Sequence, residues 1–385
     1  MSESAENVLI LTTVSGFLQK FERENVKLLK EAGCNVVYCA NAAESVYLYD
    51  DKCFEDMGVD FHSVPIAKSP FNLLNNFRAW QKLKSIIINE NITVIHCHTP
   101  VGGLLGRFLG KKFGSKVLYT SHGFHFYNGA SRVNNLIFKG AEKYLARFSD
   151  AIIVINKEDF AAASAFKLKN GGEVFQIPGV GLDMDKFSPL TLDEKKNARE
   201  ALGLKENEFF LVSAGELNAN KNHRVIIDAL SILKKDGIEN ISLAICGEGP
   251  EREHLERQIK KRGLQGQVTL YGYCNDIKRF TGSADAFLFP SKREGLGMAA
   301  LEALAMEIPV IAADNRGSRE YMSDGKNGFV CYNDQPEEYA EKIKKLIFLP
   351  QEELLNMKKE CRRSSKKFSK EKTNGIMSTV YKRYI

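Results

Sequence analysis

Short apolar runs alternate with stretches of helical spacing along almost the whole chain, and few folds accommodate that rhythm. Val8-Leu-Ile-Leu-Thr12 opens the series with a run too short for a helix and apolar on both faces, as in a buried parallel strand. Helical spacing follows from Leu18 to Glu31. Strand-like runs recur at 36–40, 61–66, 93–98, 116–121, 151–156 and 174–177, with helical patterns at Leu73–Asn89, Asn134–Phe148 and Glu158–Phe166. A second series begins at Phe209-Phe-Leu-Val-Ser213 and continues at 242–246, 267–271, 286–289, 310–313 and 329–332. Such a pattern predicts an α/β protein of two doubly wound, Rossmann-like domains, each a parallel sheet covered on both faces.

The length of 385 residues also exceeds what one core ordinarily holds. The expected division is a first domain at 1–180, a second at 181–365 and a C-terminal helix at 366–385 that crosses back to the first. The Pro/Gly-rich step Pro178-Gly-Val-Gly181 marks the junction. Ligands of such sheets bind beyond the carboxyl ends of the strands, so the site is expected in a cleft between the domains.

Charge and cysteine usage narrow the function. A net charge of +6 with no basic, aromatic-interleaved face argues against nucleic acid. No apolar run has the length of a membrane helix. Met1–Asn7 is acidic and polar, unlike a signal peptide. The eight cysteines form no C-x-x-C pair, so the expected location is a reducing cytoplasm.

Chemistry concentrates in Ser291-Lys-Arg-Glu-Gly-Leu-Gly-Met-Ala-Ala-Leu-Glu302, between two strand-like runs. Gly295, Leu296 and Gly297 open a helix whose N–H groups and dipole suit a phosphate. Glu294 at its mouth and Glu302 further along are placed to grip sugar hydroxyls, which suggests a nucleotide or nucleotide-sugar. The same glycines approximate a dinucleotide fingerprint with Asp314 as its acid. Residues 290–294 intervene before the turn, however, and the segment lies deep in the second half, which disfavours hydride chemistry.

Gly215-Glu-Leu-Asn-Ala-Asn-Lys-Asn-His223 offers Lys221 as a diphosphate cation, and Cys246-Gly-Glu-Gly-Pro250 brings Gly247 to another strand end. In the first half, Tyr119-Thr-Ser-His-Gly-Phe-His-Phe126 places His122 at a strand's carboxyl end, with His125 the weaker candidate. His96 and His98 share one face of a strand, but no third ligand is spaced nearby and no metal is expected there. Asp183-Met-Asp185 matches a manganese-binding Asp-x-Asp, yet it sits in the connector, so none is expected there either. Arg107-Phe-Leu-Gly-Lys-Lys-Phe113, after an apparent turn at Gly102-Gly-Leu-Leu105, reads either as a membrane-surface helix or as one packed on the sheet.

Together these segments resemble the family-4 retaining glycosyltransferases of GT-B fold, from about Val8 to the C-terminus. The resemblance rests on the E-x7-E pair Glu294 and Glu302, Gly181-Leu-Asp-Met-Asp-Lys-Phe187, Gly247-Glu-Gly-Pro250 and Asp324-Gly-Lys-Asn-Gly328. His96-Cys-His-Thr-Pro100, Ser121–Phe126 and Gly215-Glu-Leu-Asn218 resemble the CapM/EpsD-type branch, which builds capsule, exopolysaccharide or lipid-linked glycans.

The resemblance implies a UDP-sugar donor, no metal cofactor, and a glycan or undecaprenyl-diphosphate-linked acceptor at the inner face of the cell membrane. It implies that Glu302 holds the ribose, that Glu294 contacts the donor sugar, and that Lys221 meets the diphosphate. His122 would lie beside the transferring sugar and Gly16 would let donor and acceptor approach. Glu216 stands where the family usually has arginine, a charge reversal in the nucleotide-sugar site. A GT-B UDP-sugar 2-epimerase and a non-catalytic nucleotide-sugar binder remain as alternatives.

Overall fold

The computed structural model describes residues 5–43, 52–332 and 334–385, so part of the N-terminal reading above, Met1–Ser4, lies outside the described residues. The chain divides into two compact units. The first comprises Met1–Gly181 with Lys370–Ile385, the second Leu182–Ser369.

The first unit is built on β1 (Asn7–Val14), β2 (Asn35–Asn41), β3 (Asp60–Ser63), β4 (Val94–His98), β5 (Lys116–Ser121), β6 (Ala151–Val154) and β7 (Glu173–Gln176). They form a seven-stranded sheet in the order β3-β2-β1-β4-β5-β6-β7, and every pairing is parallel. The second unit carries β8 (Phe209–Ala214), β9 (Ile241–Cys246), β10 (Val268–Gly272), β11 (Ala286–Phe289), β12 (Val310–Ala313) and β13 (Gly328–Cys331). Their order is β10-β9-β8-β11-β12-β13, again all parallel. Helices connect most consecutive strands, which gives the two Rossmann-like folds that the alternation predicts. In each sheet the crossovers reverse direction once, between β1 and β4 and between β8 and β11.

Every residue of β4, β6, β9, β11 and β13 is buried, because helices cover both faces. The segment 100–113 corrects the reading of a glycine turn and bears out the helix packed on the sheet. It is one helix, Pro100–Phe113, and Gly102 and Gly103 lie inside it. Its glycines face the sheet. A Cβ at Gly103 would meet the Tyr119 ring at 2.5 Å, at Gly106 Cys97 Cβ at 2.7 Å, and at Gly110 Val117 Cγ2 at 2.1 Å.

Arg107 does not face a membrane, since its side chain is fully buried. Its Nη1 donates to Glu142 Oε2 at 2.7 Å, its Nε donates to the Gly103 carbonyl, and the guanidinium stacks 4.0 Å from the Tyr119 ring centroid. Burial disfavours the Arg107 charge, but Glu142 and Tyr119 outweigh that and keep it protonated.

The C-terminal helix Lys370–Tyr384 belongs to the first unit. It lies against the helix Arg23–Glu31, Asn374 donates to Glu24, and Tyr381 meets His96 Nδ1 at 2.9 Å.

The glycine face yields a paired test. Gly110→Ala raises intrinsic helix propensity but overfills the contact with Val117, so it should cost roughly 1–3 kcal/mol. Gly140→Ala, in a helix with nothing within 4 Å of the new methyl, should instead gain up to about 1 kcal/mol. Thermal unfolding of both variants measures the difference. Equal shifts would contradict the packing.

Candidate active site

In the second unit the site grows from the carboxyl ends of β8, β9 and β11. Eight residues, Pro290–Gly297, separate β11 from the helix Met298–Ala305. This is no tight phosphate turn, and Asp314 is engaged by Arg319 at 2.7 and 2.8 Å, so the hydride reading fails on geometry. Gly297 is the N-cap at φ +93°, and no side chain caps the helix. Its N-terminus is therefore open to an anion.

Glu294 and Lys221 come together. Lys221 Nζ donates to Glu294 Oε1 at 2.6 Å, and both side chains are largely enclosed. The Lys221 chain runs along Gly215, where a Cβ would stand 3.2 Å from its Cδ and Cε. Asn218 accepts from the Lys221 N–H, and Asn220 ties this loop to the Glu294 segment by accepting from the Lys292 N–H and donating to the Arg293 carbonyl.

Gly247 packs directly on Gly215, where a Cβ would fall 1.9 Å from the Gly215 carbonyl oxygen. The loops after β8 and β9 are thus joined through backbone. Glu216 is exposed and accepts from Asn218 Nδ2 at 2.9 Å, beside Lys221 in sequence but turned to its own loop. Gly295 and Glu302 are half-buried and Leu296 is buried.

Two residues that the sequence does not single out complete this shell. Arg316 Nε donates to the Glu294 carbonyl at 3.2 Å. Tyr321 is buried against Gly297, and its hydroxyl is held well above its ordinary range by burial and then by the Glu294 carboxylate. Asp183 Oδ1 accepts from the N–H groups of Asp185 and Lys186, which makes Asp183–Asp185 a local turn in the connector.

In the first unit, His122 lies just past β5 and is 23% exposed, while Gly16 is buried at the start of the helical segment after β1. His125 has its ring against Phe138, the centroids 5.4 Å apart. His96 and His98 do share a face, with ring centroids 4.2 Å apart, but their partners differ. His96 is held by Tyr381 and by Thr120 Oγ1 at 2.8 Å.

His98 Nδ1 faces His122 Nε2 at 3.2 Å and Glu22 Oε1 at 3.3 Å. Glu22 is the residue that local spacing misses, because it comes from the distant helical stretch Leu18–Glu22 after β1. Burial pushes its carboxyl up to about 8 against an opposing bond from Asn25, and pushes His122 down to about 4 and His96 to about 3. Uncomplexed, these imidazoles are neutral at physiological pH.

The model of the group 1 glycosyl transferases matches residues 194–367, and that of glycosyltransferase family 4 matches residues 23–169. The glycosyltransferase-family protein EpsD of Bacillus subtilis is 35% identical over 99% of this chain and 97% of its own length. The Escherichia coli UDP-Gal:alpha-D-GlcNAc-diphosphoundecaprenol alpha-1,3-galactosyltransferase is 26% identical over 78% of this chain and 77% of its own. Among solved structures, Anabaena HepE in complex with UDP and glucose superposes with a TM-score of 0.79 over 98% of this chain and all of that one, at 18% identity. Sucrose-phosphate synthase from Thermosynechococcus elongatus gives 0.81 over 99% of each chain, at 19% identity. The two Rossmann-like units are those of the GT-B fold. The chain belongs to the family-4, group 1 glycosyltransferases.

Gly297→Ala tests the N-cap geometry. Its methyl would meet the Phe289 ring at 2.6 Å and Tyr321 Oη at 2.9 Å, in a backbone conformation that favours glycine. The expected cost is roughly 1–3 kcal/mol in denaturant unfolding. A neutral result would mean that the cap is not held as described.

Proposed function

We propose that this glycosyltransferase moves a hexosyl or N-acetylhexosaminyl group from a UDP-sugar, with retention of anomeric configuration, to a glycan or undecaprenyl-diphosphate-linked sugar in surface polysaccharide synthesis. The observation that carries the reading is the Lys221–Glu294 ion pair at the open N-terminus of the helix Met298–Ala305. A cation beside that helix end suits a diphosphate, and a carboxylate suits sugar hydroxyls.

On donor binding, the diphosphate takes over Lys221 and releases Glu294 to the sugar, while Glu302 holds the ribose. Gly215 and Gly247 let backbone line the diphosphate, and Gly295, Leu296 and Gly297 supply the backbone beside the sugar and phosphates. Gly16 does the same for the acceptor side. His122, neutral, donates or accepts a hydrogen bond to the transferring sugar.

The departing phosphate accepts the acceptor's proton as the new bond forms on the same face. Catalysis is then positioning and charge stabilisation of the leaving group, without a metal cofactor. Glu216 puts a negative charge where the resemblance implies a positive one, and Lys221 with the helix dipole carries the diphosphate.

Lys221→Ala and Glu294→Ala should each lower kcat by about 10²–10³ with the fold intact by circular dichroism. EDTA should not reduce turnover of a UDP-sugar donor. Near-normal turnover in both variants, or tight UDP binding with no transfer to any lipid-linked or glycan acceptor, would overturn the reading.

A lipid-linked acceptor requires a membrane-facing surface, and the cytoplasmic face of the cell membrane is the proposed place. No described helix is long and apolar enough to cross a membrane. Phe71, Leu73, Leu74 and Phe77 are 62–87% exposed near Lys68 and Arg78, and exposed Val133, Leu136 and Ile137 lie near Arg132 and Lys139. Apolar side chains among cations suit an anionic bilayer surface. The double variant Leu74→Asp/Phe77→Asp should lose cosedimentation with vesicles containing phosphatidylglycerol. Undiminished cosedimentation would move the docking surface elsewhere.

A further inference from the structure

We propose that Glu22, His98 and His122 form a binding site for a divalent zinc-class ion in the first unit. Glu22 Oε1, His98 Nδ1 and His122 Nε2 converge at separations of 3.3, 3.2 and 3.8 Å. Three ligands each about 2.0–2.1 Å from a tetrahedral Zn²⁺ stand about 3.3–3.4 Å apart, so two edges already fit and the third is about half an ångström wide. Two histidines and one glutamate are also a donor set that zinc commonly takes with a fourth position left open.

The surroundings favour an ion. Glu22 and His98 are 2% and 0% exposed, and no lysine or arginine pairs with the Glu22 carboxylate among the described contacts. Its second oxygen accepts from Asn25 Nδ2 at 2.6 Å, which fixes the carboxylate from behind. Nε2 of His98 is buried with no hydrogen-bond partner, so this ring is held through Nδ1 alone.

Phe17 closes one side, its ring centroid 5.8 Å from His98 and 5.1 Å from His122. A cavity of about 10 Å³ whose lining includes Glu22, Asn25, Thr120 and His122 adjoins two of the ligands, with room for about one water as fourth ligand. His96, bonded at both ring nitrogens, stands outside the set.

Such an ion would engage Nε2 of His122, the ring assigned above to the transferring sugar. Occupancy therefore withdraws His122 from the sugar, and zinc acts as a reversible inhibitor. This second step rests on the proposed glycosyl transfer, whereas the site itself does not.

The full-length protein, purified in chelator and then titrated with Co²⁺, should bind one ion per chain with the intense visible absorption of tetrahedral cobalt, and Zn²⁺ should displace it. His98→Ala and Glu22→Gln should each weaken binding more than about tenfold while retaining a cooperative thermal transition. His122→Ala, at a partly exposed position, gives the same readout if either buried variant fails to fold. No stoichiometric cobalt binding by the wild type, or binding unchanged in all three variants, overturns the site. Stoichiometric binding with transfer indifferent to Zn²⁺ overturns the inhibitory step alone. Absent transfer with cobalt binding intact counts against the proposed reaction and not against the site.

Discussion

Both units depend on one constraint: an all-parallel sheet must be covered on both faces, and its crossovers must reverse once for that to happen. At the reversal the strand-end loops point into space that no crossover helix fills. The first unit reverses between β1 and β4, which places the helical segment after β1, with Glu22 at the end of its π-helical stretch, beside His98. The second reverses between β8 and β11, which places Lys221 beside Glu294. The place of each cluster is thus fixed by the winding of the chain, and its chemistry by the side chains set there. The glycine face of Pro100–Phe113 serves the same constraint, because it lets a covering helix approach β4 and β5 closely.

The ion pair in the second unit has a physical consequence for a site proposed to receive an anion. A lysine and a carboxylate 2.6 Å apart and mostly enclosed hold each other in place when nothing is bound. Under the proposed reaction a diphosphate must compete with Glu294 for Lys221, so part of the binding energy separates the pair. The released carboxylate then faces the sugar, whose hydroxyls donate to it. One rearrangement supplies both halves of the donor contact, and a ligand without the sugar leaves Glu294 without its replacement partner.

The central strands were legible because strands buried on both faces read as unbroken apolar runs, whereas the edge strands β3, β7 and β10 mix polar and partly exposed residues and were placed by their position in the alternation. The Glu294–Gly297 loop was legible for a related reason: glycines before an apolar helix leave a helix end uncapped. Glycine misled at 102–103, where helix–sheet proximity rather than a turn requires it. Glu22 was not legible as part of a site. It ends the π-helical stretch Leu18–Glu22, whose wider turn departs from 3.6-residue spacing, and its partners come from other strand ends. Arg316 and Tyr321 reach Glu294 and Gly297 through tertiary contacts that no local pattern encodes.

The two strand-end clusters have opposite electrostatic character, which bears on where a diphosphate can go. The first unit gathers a buried carboxyl and imidazoles that burial keeps neutral, and a polyanion brought there would meet repulsion or an uncharged wall. The second unit offers a lysine and an uncapped helix N-terminus, both favourable to negative charge. Under the proposed reaction the leaving group therefore belongs with the second unit, although Glu216 there is acidic. The neutral cluster suits hydroxyl groups, which need hydrogen-bond partners rather than counter-charge. Under the proposed reaction, that difference puts the diphosphate with Lys221 and leaves His122 to hydrogen-bond uncharged hydroxyls.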